Sequence, residues 1–246
     1  MKNISIFSLC LIVLLNSCKK DDSDEPVAAA KKLVKMENAS DNKDYLTIEY
    51  DPQGRVVRYK GGDDVATFTY TGNEVKIKEI RTSENREVFS FSGTLNAKGL
   101  LTQGTGISQY NPNAVQGLTY TYEYNNDGYM TKKTSSSSNG DVYVYEYTYS
   151  KGNMTEYKVL RNGIFDWGGK WEYSDTPADK SNLNWEQFSF PNTFTGKTNK
   201  LLPSKYTASS GWFVNWTYVL DNQGYPSFFT SMYNDGKTYK YLYTFE

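Results

Sequence analysis

The sequence predicts an all-β fold, an antiparallel up-and-down meander of about sixteen strands curled into a barrel-like roll. Three observations carry this prediction. The stretch Tyr50-Asp51-Pro52-Gln53-Gly54-Arg55-Val56 runs from an aromatic strand end, through a turn with Asp, Pro and Gly at suitable positions, to an apolar strand start. That order marks a hairpin with a bulged glycine, and variants recur at Leu95 to Leu100, Tyr124 to Tyr129 and Leu220 to Tyr225. Second, several segments alternate strictly. Tyr120, Tyr122 and Tyr124 share a face, as do Tyr143, Tyr145, Tyr147 and Tyr149, and Tyr239, Tyr241, Tyr243 and Phe245; Thr119, Thr121, Glu123, Glu146, Thr148 and Lys240 lie opposite. A period of two makes one face an aromatic ladder and leaves the other wet. Third, no segment sustains a helical period.

Composition points the same way. Among 246 residues, 22 are Tyr and 16% are aromatic, which favours strands. Mean hydropathy is −0.68, so a polar chain must draw its buried surface largely from rings. The ladder is therefore expected to be core and cross-strand pairing. A net charge of −1 gives no electrostatic reason to expect nucleic acid as a partner. The absence of histidine excludes His-dependent triads, His-containing zinc sites and imidazole bases. The two cysteines, Cys10 and Cys18, both precede residue 19, so the remainder has no thiol nucleophile, cysteine metal site or internal disulfide.

In chain order, residues 1–17 are expected to be a signal peptide. Lys2 supplies the positive start, and Ile4 to Leu15 is an apolar run too short to span a bilayer comfortably. Leu15-Asn16-Ser17-Cys18 resembles a bacterial lipobox, with Asn16 in place of the preferred small residue. That resemblance makes Cys18 the lipidated first residue of the mature protein. Residues 18–30 then form a flexible tether, since Lys19 to Pro26 is charged and cannot bury itself. Its lysine-then-acidic order also resembles the surface-export signal of Bacteroidetes lipoproteins.

Residues 31–246 are expected to form a single β-domain. Strands are predicted at 32–38, 45–50, 55–60, 65–71, 74–81, 87–94, 100–108, 117–124, 129–136, 142–149, 154–161 and 164–173. Four more follow at 201–208, 212–220, 225–233 and 237–245. Gly72-Asn73, Asn139-Gly140, Lys151-Gly152, Asn162-Gly163 and Asp235-Gly236 supply further tight turns. In a meander the turns at Gly54, Gly72, Gly99, Gly128, Gly152 and Gly224 all fall on one edge only if residues 174–200 are one long connection or hold an even number of strands. Pro177 and Pro191 suit a long connection, which has room for a short helix from Asp179 onward. About sixteen strands exceed a normal open twisted sheet, which must then curl, close or flatten.

The turn at Tyr50 to Val56 resembles the tyrosine-aspartate repeat of Rhs- and teneurin-type shells, although the intervals here are irregular. The whole of residues 30–246 more closely resembles an uncharacterised family of Bacteroidetes lipoprotein domains with a porin-like fold. The matching features are the lipobox at Cys18, the aromatic-Asp/Asn-x-x-Gly hairpins, the Pro-containing excursion, Leu202-Pro203, and the closing Tyr218-x-Leu220-Asp221-x-x-Gly224-Tyr225. The resemblance implies a meander barrel or roll on an anchored lipoprotein, and it supplies no catalytic residues. A true transmembrane porin would need a continuous apolar outer band, which Tyr, Thr, Lys and Glu do not provide.

Five tryptophans carry the remaining recognition chemistry. Trp167 and Trp171 are four apart, as are Trp212 and Trp216, so each pair shares a strand face, while Trp185 lies in the long connection. Their rings either pack the core or stack on sugars. Gly61-Gly62-Asp63-Asp64 lacks the spaced ligands of a calcium loop and reads as a polar turn, as does Asn125-Asn126-Asp127-Gly128. Ser135 to Ser138 has no supporting base. No cofactor or metal is implied. The expected function is a non-catalytic module on the outer membrane, lipid-anchored and cell-surface exposed, that binds a glycan or a partner protein. A purely structural scaffold and a carboxylate-dependent glycan-active enzyme are the alternatives.

Overall fold

The computed structural model describes residues 31–178 and 194–246. Trp185, Cys18 and the helix expected from Asp179 lie outside them. The strands are β1 (Leu33–Asn38), β2 (Asp41–Tyr50), β3 (Val56–Gly61), β4 (Asp64–Thr71), β5 (Glu74–Arg81), β6 (Arg86–Leu95), β7 (Leu101–Ser108) and β8 (Gln116–Tyr124). They continue as β9 (Met130–Ser137), β10 (Val142–Ser150), β11 (Asn153–Arg161), β12 (Ile164–Pro177), β13 (Leu201–Ala208), β14 (Phe213–Leu220), β15 (Pro226–Tyr233) and β16 (Thr238–Phe245). Every strand pairs antiparallel with its sequence neighbours, and β1 pairs with β16 to close a barrel. The predicted meander is thus a closed barrel, with no helix among the described residues.

Turn chemistry sets the hairpins. At the opening motif, Arg55 N–H donates to Asp51 Oδ1 at 2.8 Å and Gly54 N–H to Asp51 O at 2.8 Å, with Gly54 at φ +80°. Asn96, Asn125 and Asp221 accept the same bond from Leu100, Tyr129 and Tyr225. A side-chain acceptor at the first turn position and a left-handed glycine at the fourth explain why the motif recurs.

Register then sorts the faces. Ala66, Phe68 and Tyr70 on β4 oppose Glu79, Ile77 and Val75 on β5, and these point inward; Thr67 and Thr69 oppose Lys78 and Lys76 outside. The inner face gathers two clusters. One is built on Ile48, Phe68, Ile77, Phe91 and Phe229, the other on Met130, Tyr147, Tyr157, Val159 and Trp171. Tyrosine hydroxyls are returned to the wall: Tyr50 donates to Leu33 O, Tyr70 to Val56 O and Tyr173 to Met154 O. The outer face carries ion pairs such as Arg58–Glu49, Lys78–Glu87, Lys132–Glu123 and Lys205–Glu172. Exposed pairs of this kind add little stability; they place charges on the outer wall, where Val219, Met232 and Leu242 are also exposed.

The two ends differ. The connection between β12 and β13 adds no strand among the described residues, so all six glycine turns do fall on one end. Residues 194–200 run across that end. Phe194, 3% exposed, packs its ring 6.4 Å from both Phe68 and Tyr70. Its carbonyl accepts from Leu101 N–H at 2.8 Å, Lys197 N–H donates to Gly128 O and Lys200 N–H to Gly152 O. Asn199 Oδ1 accepts from Met154 N–H at 2.7 Å. These bonds stitch the connection to three successive hairpins and plug this end.

Candidate functional site

Among the described residues, two cavities are lined by the inward aromatic faces. The larger, about 380 Å³, is walled by β11 to β16 and by Met36 of β1, and includes Trp171, Trp212 and Trp216. Trp171 and Trp216 stack nearly parallel, 8° apart with centroids at 5.6 Å. Tyr206 joins them, 4.8 Å from Trp171 and 6.0 Å from Trp212, and Trp212 leans on Tyr233 at 5.5 Å. Gly169 makes this packing possible: a Cβ there would lie 2.2 Å from the Tyr206 ring. Trp167 lies one ring further round, 5.4 Å edge-on from Tyr157, whose hydroxyl is 2.7 Å from that of Tyr206. Burial, followed by the Tyr206 hydrogen bond, raises the Tyr157 hydroxyl far above the ordinary phenol range.

The equal spacing in sequence therefore translates into one aromatic surface. The structure brings Trp171, Trp212 and Trp216 to a single cavity and sets Trp167 beside it. Depth separates their roles. Trp171 is 8% exposed and its indole N–H has no partner among the described residues, whereas Trp212 is 39% exposed at the turn between β13 and β14. Tyr206, Ser231 and Tyr233 add hydroxyls to the lining. Flat apolar rings with a few polar groups suit a ligand that offers both a hydrophobic face and hydroxyls.

The smaller cavity, about 270 Å³, lies against β5 to β10 and has Phe194 and Thr195 in its lining. It holds Glu79, Tyr110 and Lys133, which the sequence reading did not single out. Tyr110 O–H donates to Glu79 Oε1 at 2.6 Å, and burial raises the Glu79 pKa despite that bond. Lys133 points inward between Tyr122 on β8 and Tyr145 on β10, its Nζ 4.1 Å from the Tyr145 centroid. Enclosure within the barrel pulls its pKa down to about 8. The available signal was parity: Lys133 sits directly across from Tyr122 and Tyr145, both ladder residues. The bulge opposite Tyr124 obscures that count.

The other sequence candidates have structural partners. Asp63 accepts bonds from Thr82 Oγ1 at 2.6 Å and Ser83 N–H at 2.9 Å, and Asp64 pairs with Arg81 at 3.0 Å. Asn125 caps its own turn. Ser137 belongs to the turn into β10, while Ser135 lines the smaller cavity.

No protein-family model and no curated protein matches the sequence. Solved structures do. A porin-like protein from Bacteroides uniformis superposes with a TM-score of 0.61 at 17% identity, over 88% of this chain and 96% of that one. A porin-like protein from Bacteroides vulgatus gives 0.60 at 15%, over 88% and 99%. At such identities the likeness is one of fold.

Proposed function

We propose that the protein is a non-catalytic lipoprotein, anchored through Cys18 on an outer membrane and exposed at the cell surface, that captures a glycan in the tryptophan-walled cavity. The observation that carries this reading is the convergence of Trp171, Trp212 and Trp216 on one cavity, with Trp212 left accessible at its edge. Stacked indoles match the apolar faces of sugar rings, and the tyrosine and serine hydroxyls supply polar partners.

The arrangement of the ends supports it. The chain enters the barrel at Lys31, whose backbone N–H donates to Tyr225 Oη beside the Gly224 turn, on the plugged end. An anchor at Cys18 would therefore tether the molecule by that end. Many exposed apolar residues lie at the opposite end, among them Tyr110, Val115, Ile164, Phe165, Trp167 and Trp212, while Val219 and Leu220 are exposed beside the Gly224 turn. That rim also favours a second reading, docking of a partner protein, because Ile164 is 75% exposed with no ring of its own to offer a sugar.

A glycan array probed with the full protein, followed by tryptophan fluorescence titration of any hit, tests the reading. Trp212→Ala should weaken binding about tenfold or more while changing stability little, since its ring is partly solvated. Trp171→Ala should instead destabilise the barrel by about 3–5 kcal/mol. Absence of saturable binding to any glycan removes this ligand class and leaves partner docking or scaffolding ahead. Turnover of a bound glycan that one Asp or Glu substitution abolishes would replace the binding reading with an enzymatic one.

A further inference from the structure

The smaller cavity contains a cation without a counter-ion. Lys133 faces the inside of the barrel on β9, and its Nζ has no hydrogen-bond acceptor or ion-pair partner among the described residues. The remaining cavity carboxylate is already engaged, because Glu79 accepts from Tyr110. The electron-rich face of Tyr145 offsets part of the cost of enclosing the ammonium. Lys133 is half-buried, and its three N–H donors, which find no protein acceptor among the described residues, are open to whatever fills the cavity. The accessible part of Lys133 faces a space of about 270 Å³ walled by Phe89, Phe91, Tyr120 and Tyr145.

We infer that this cavity binds a small monocarboxylate bearing a ring, with the carboxylate on Lys133 and the ring among Phe89, Phe91, Tyr120 and Tyr145. Three features fix the class. One ammonium matches one carboxylate charge. Glu79 in the same wall disfavours a dianion such as a phosphate monoester. The volume fits one ring of aryl or hexose size, at the small end of ligand pockets. This site is separate from the tryptophan-walled cavity and stands whether or not that cavity takes a glycan.

The test uses the full protein, with benzoate and glucuronate as probes and benzyl alcohol and glucose as their uncharged counterparts, followed by calorimetry. At least one acid should bind saturably, and its uncharged counterpart about 10- to 100-fold more weakly, the worth of a charge-assisted contact. Which acid binds distinguishes an aromatic from a sugar source. Lys133→Met, which keeps the length and removes the charge, should reduce binding of the acid to the level of its uncharged counterpart. Trp212→Ala should leave it unchanged.

Affinity should also fall as pH rises through about 8, where Lys133 loses its proton. The other titratable groups of this cavity are Tyr110, Tyr120, Tyr122, Tyr145, Tyr147 and Glu79. Burial holds the tyrosines neutral there, and Glu79→Gln removes the carboxylate while leaving this alkaline limb in place. The pH profile of the unmodified protein tests the assignment even where Lys133→Met does not fold. Failure of both acids to bind, equal affinity for acid and uncharged counterpart, or an affinity flat from pH 7 to about 9 overturns it.

Discussion

Gly104→Ala is the sharpest probe of how this barrel is filled. On β7, Gly104 lies between Gly93 of β6 and Tyr120 of β8. The Phe91 ring lies flat over this glycine pair and meets Tyr120 edge-on at 5.7 Å. A Cβ on Gly104 would stand 2.3 Å from Phe91 Cζ, 2.4 Å from Cε2 and 2.9 Å from the Ser92 carbonyl oxygen. The ring has little room to retreat, because Phe89 stacks on it at 6.5 Å and Tyr120 meets it at 5.7 Å. Overpacking of this kind costs about 1–3 kcal/mol, from which a strand alanine recovers about 0.5–1 kcal/mol relative to glycine. The net expectation is a loss of about 1–2 kcal/mol.

Phe91→Ala alone should cost about 3–5 kcal/mol by leaving a void. In that background Gly104→Ala should cost less, because the ring clash is gone and the Ser92 oxygen at 2.9 Å is what still has to give. The double-mutant cycle thus has a coupling of up to about 1–2 kcal/mol. Urea unfolding followed by tryptophan fluorescence measures it. A Gly104→Ala midpoint equal to wild type, or the same cost with and without Phe91, would show that the ring is not what the glycines accommodate.

Two further outcomes follow from the same structure. Burial pushes the hydroxyls of Tyr50, Tyr70 and Tyr120 up to about 12, while in the unfolded chain they titrate near 10. Stability is therefore fully present below about pH 10 and falls as pH rises toward 12, because only the unfolded chain releases these protons; urea midpoints that hold steady across that window would refute the assignment. Cys18→Ala should move the protein from the membrane to the soluble fraction, and retention with membranes would end the lipid-anchor proposal.

How much of this was legible in the sequence depended on how local the physics is. The hairpins were, because a turn with Asp51 or Asn125 at its first position and a left-handed glycine three residues on is fixed by neighbouring atoms alone. Strand limits missed mainly where pairing extends past the alternating stretch, as in β12, which runs to Pro177 against Leu201. Closure was not legible: it rests on Met36 opposite Tyr243, residues at the two extremes of the domain. The tryptophan pairs were found by spacing, but their meeting depends on curvature that lets Trp171 of β12 stack on Trp216 of β14 across β13, while Tyr206 links Trp171 to Trp212. Lys133 escaped because an inward lysine looks like any surface lysine until register places it opposite Tyr122.

Register also decides what a porin-like architecture means here. In a β-strand the side-chain period is two, so the same backbone can present its rings inward or outward depending on phase alone. A transmembrane barrel sets its apolar residues outward and keeps its lumen polar. This chain has the opposite phase: Phe68, Ile77, Phe91 and Phe229 fill the inside, and Lys76, Lys78, Glu123 and Lys132 stand outside. A barrel of sixteen strands is wide enough for an aqueous channel, and this one spends that width on aromatic packing. Packing flat rings around a wide closed wall leaves gaps where rings cannot interdigitate, and the two cavities are those gaps. Their contents then follow from what lines them, indoles in one and a lone ammonium in the other. The two cavities therefore arise from the inverted phase.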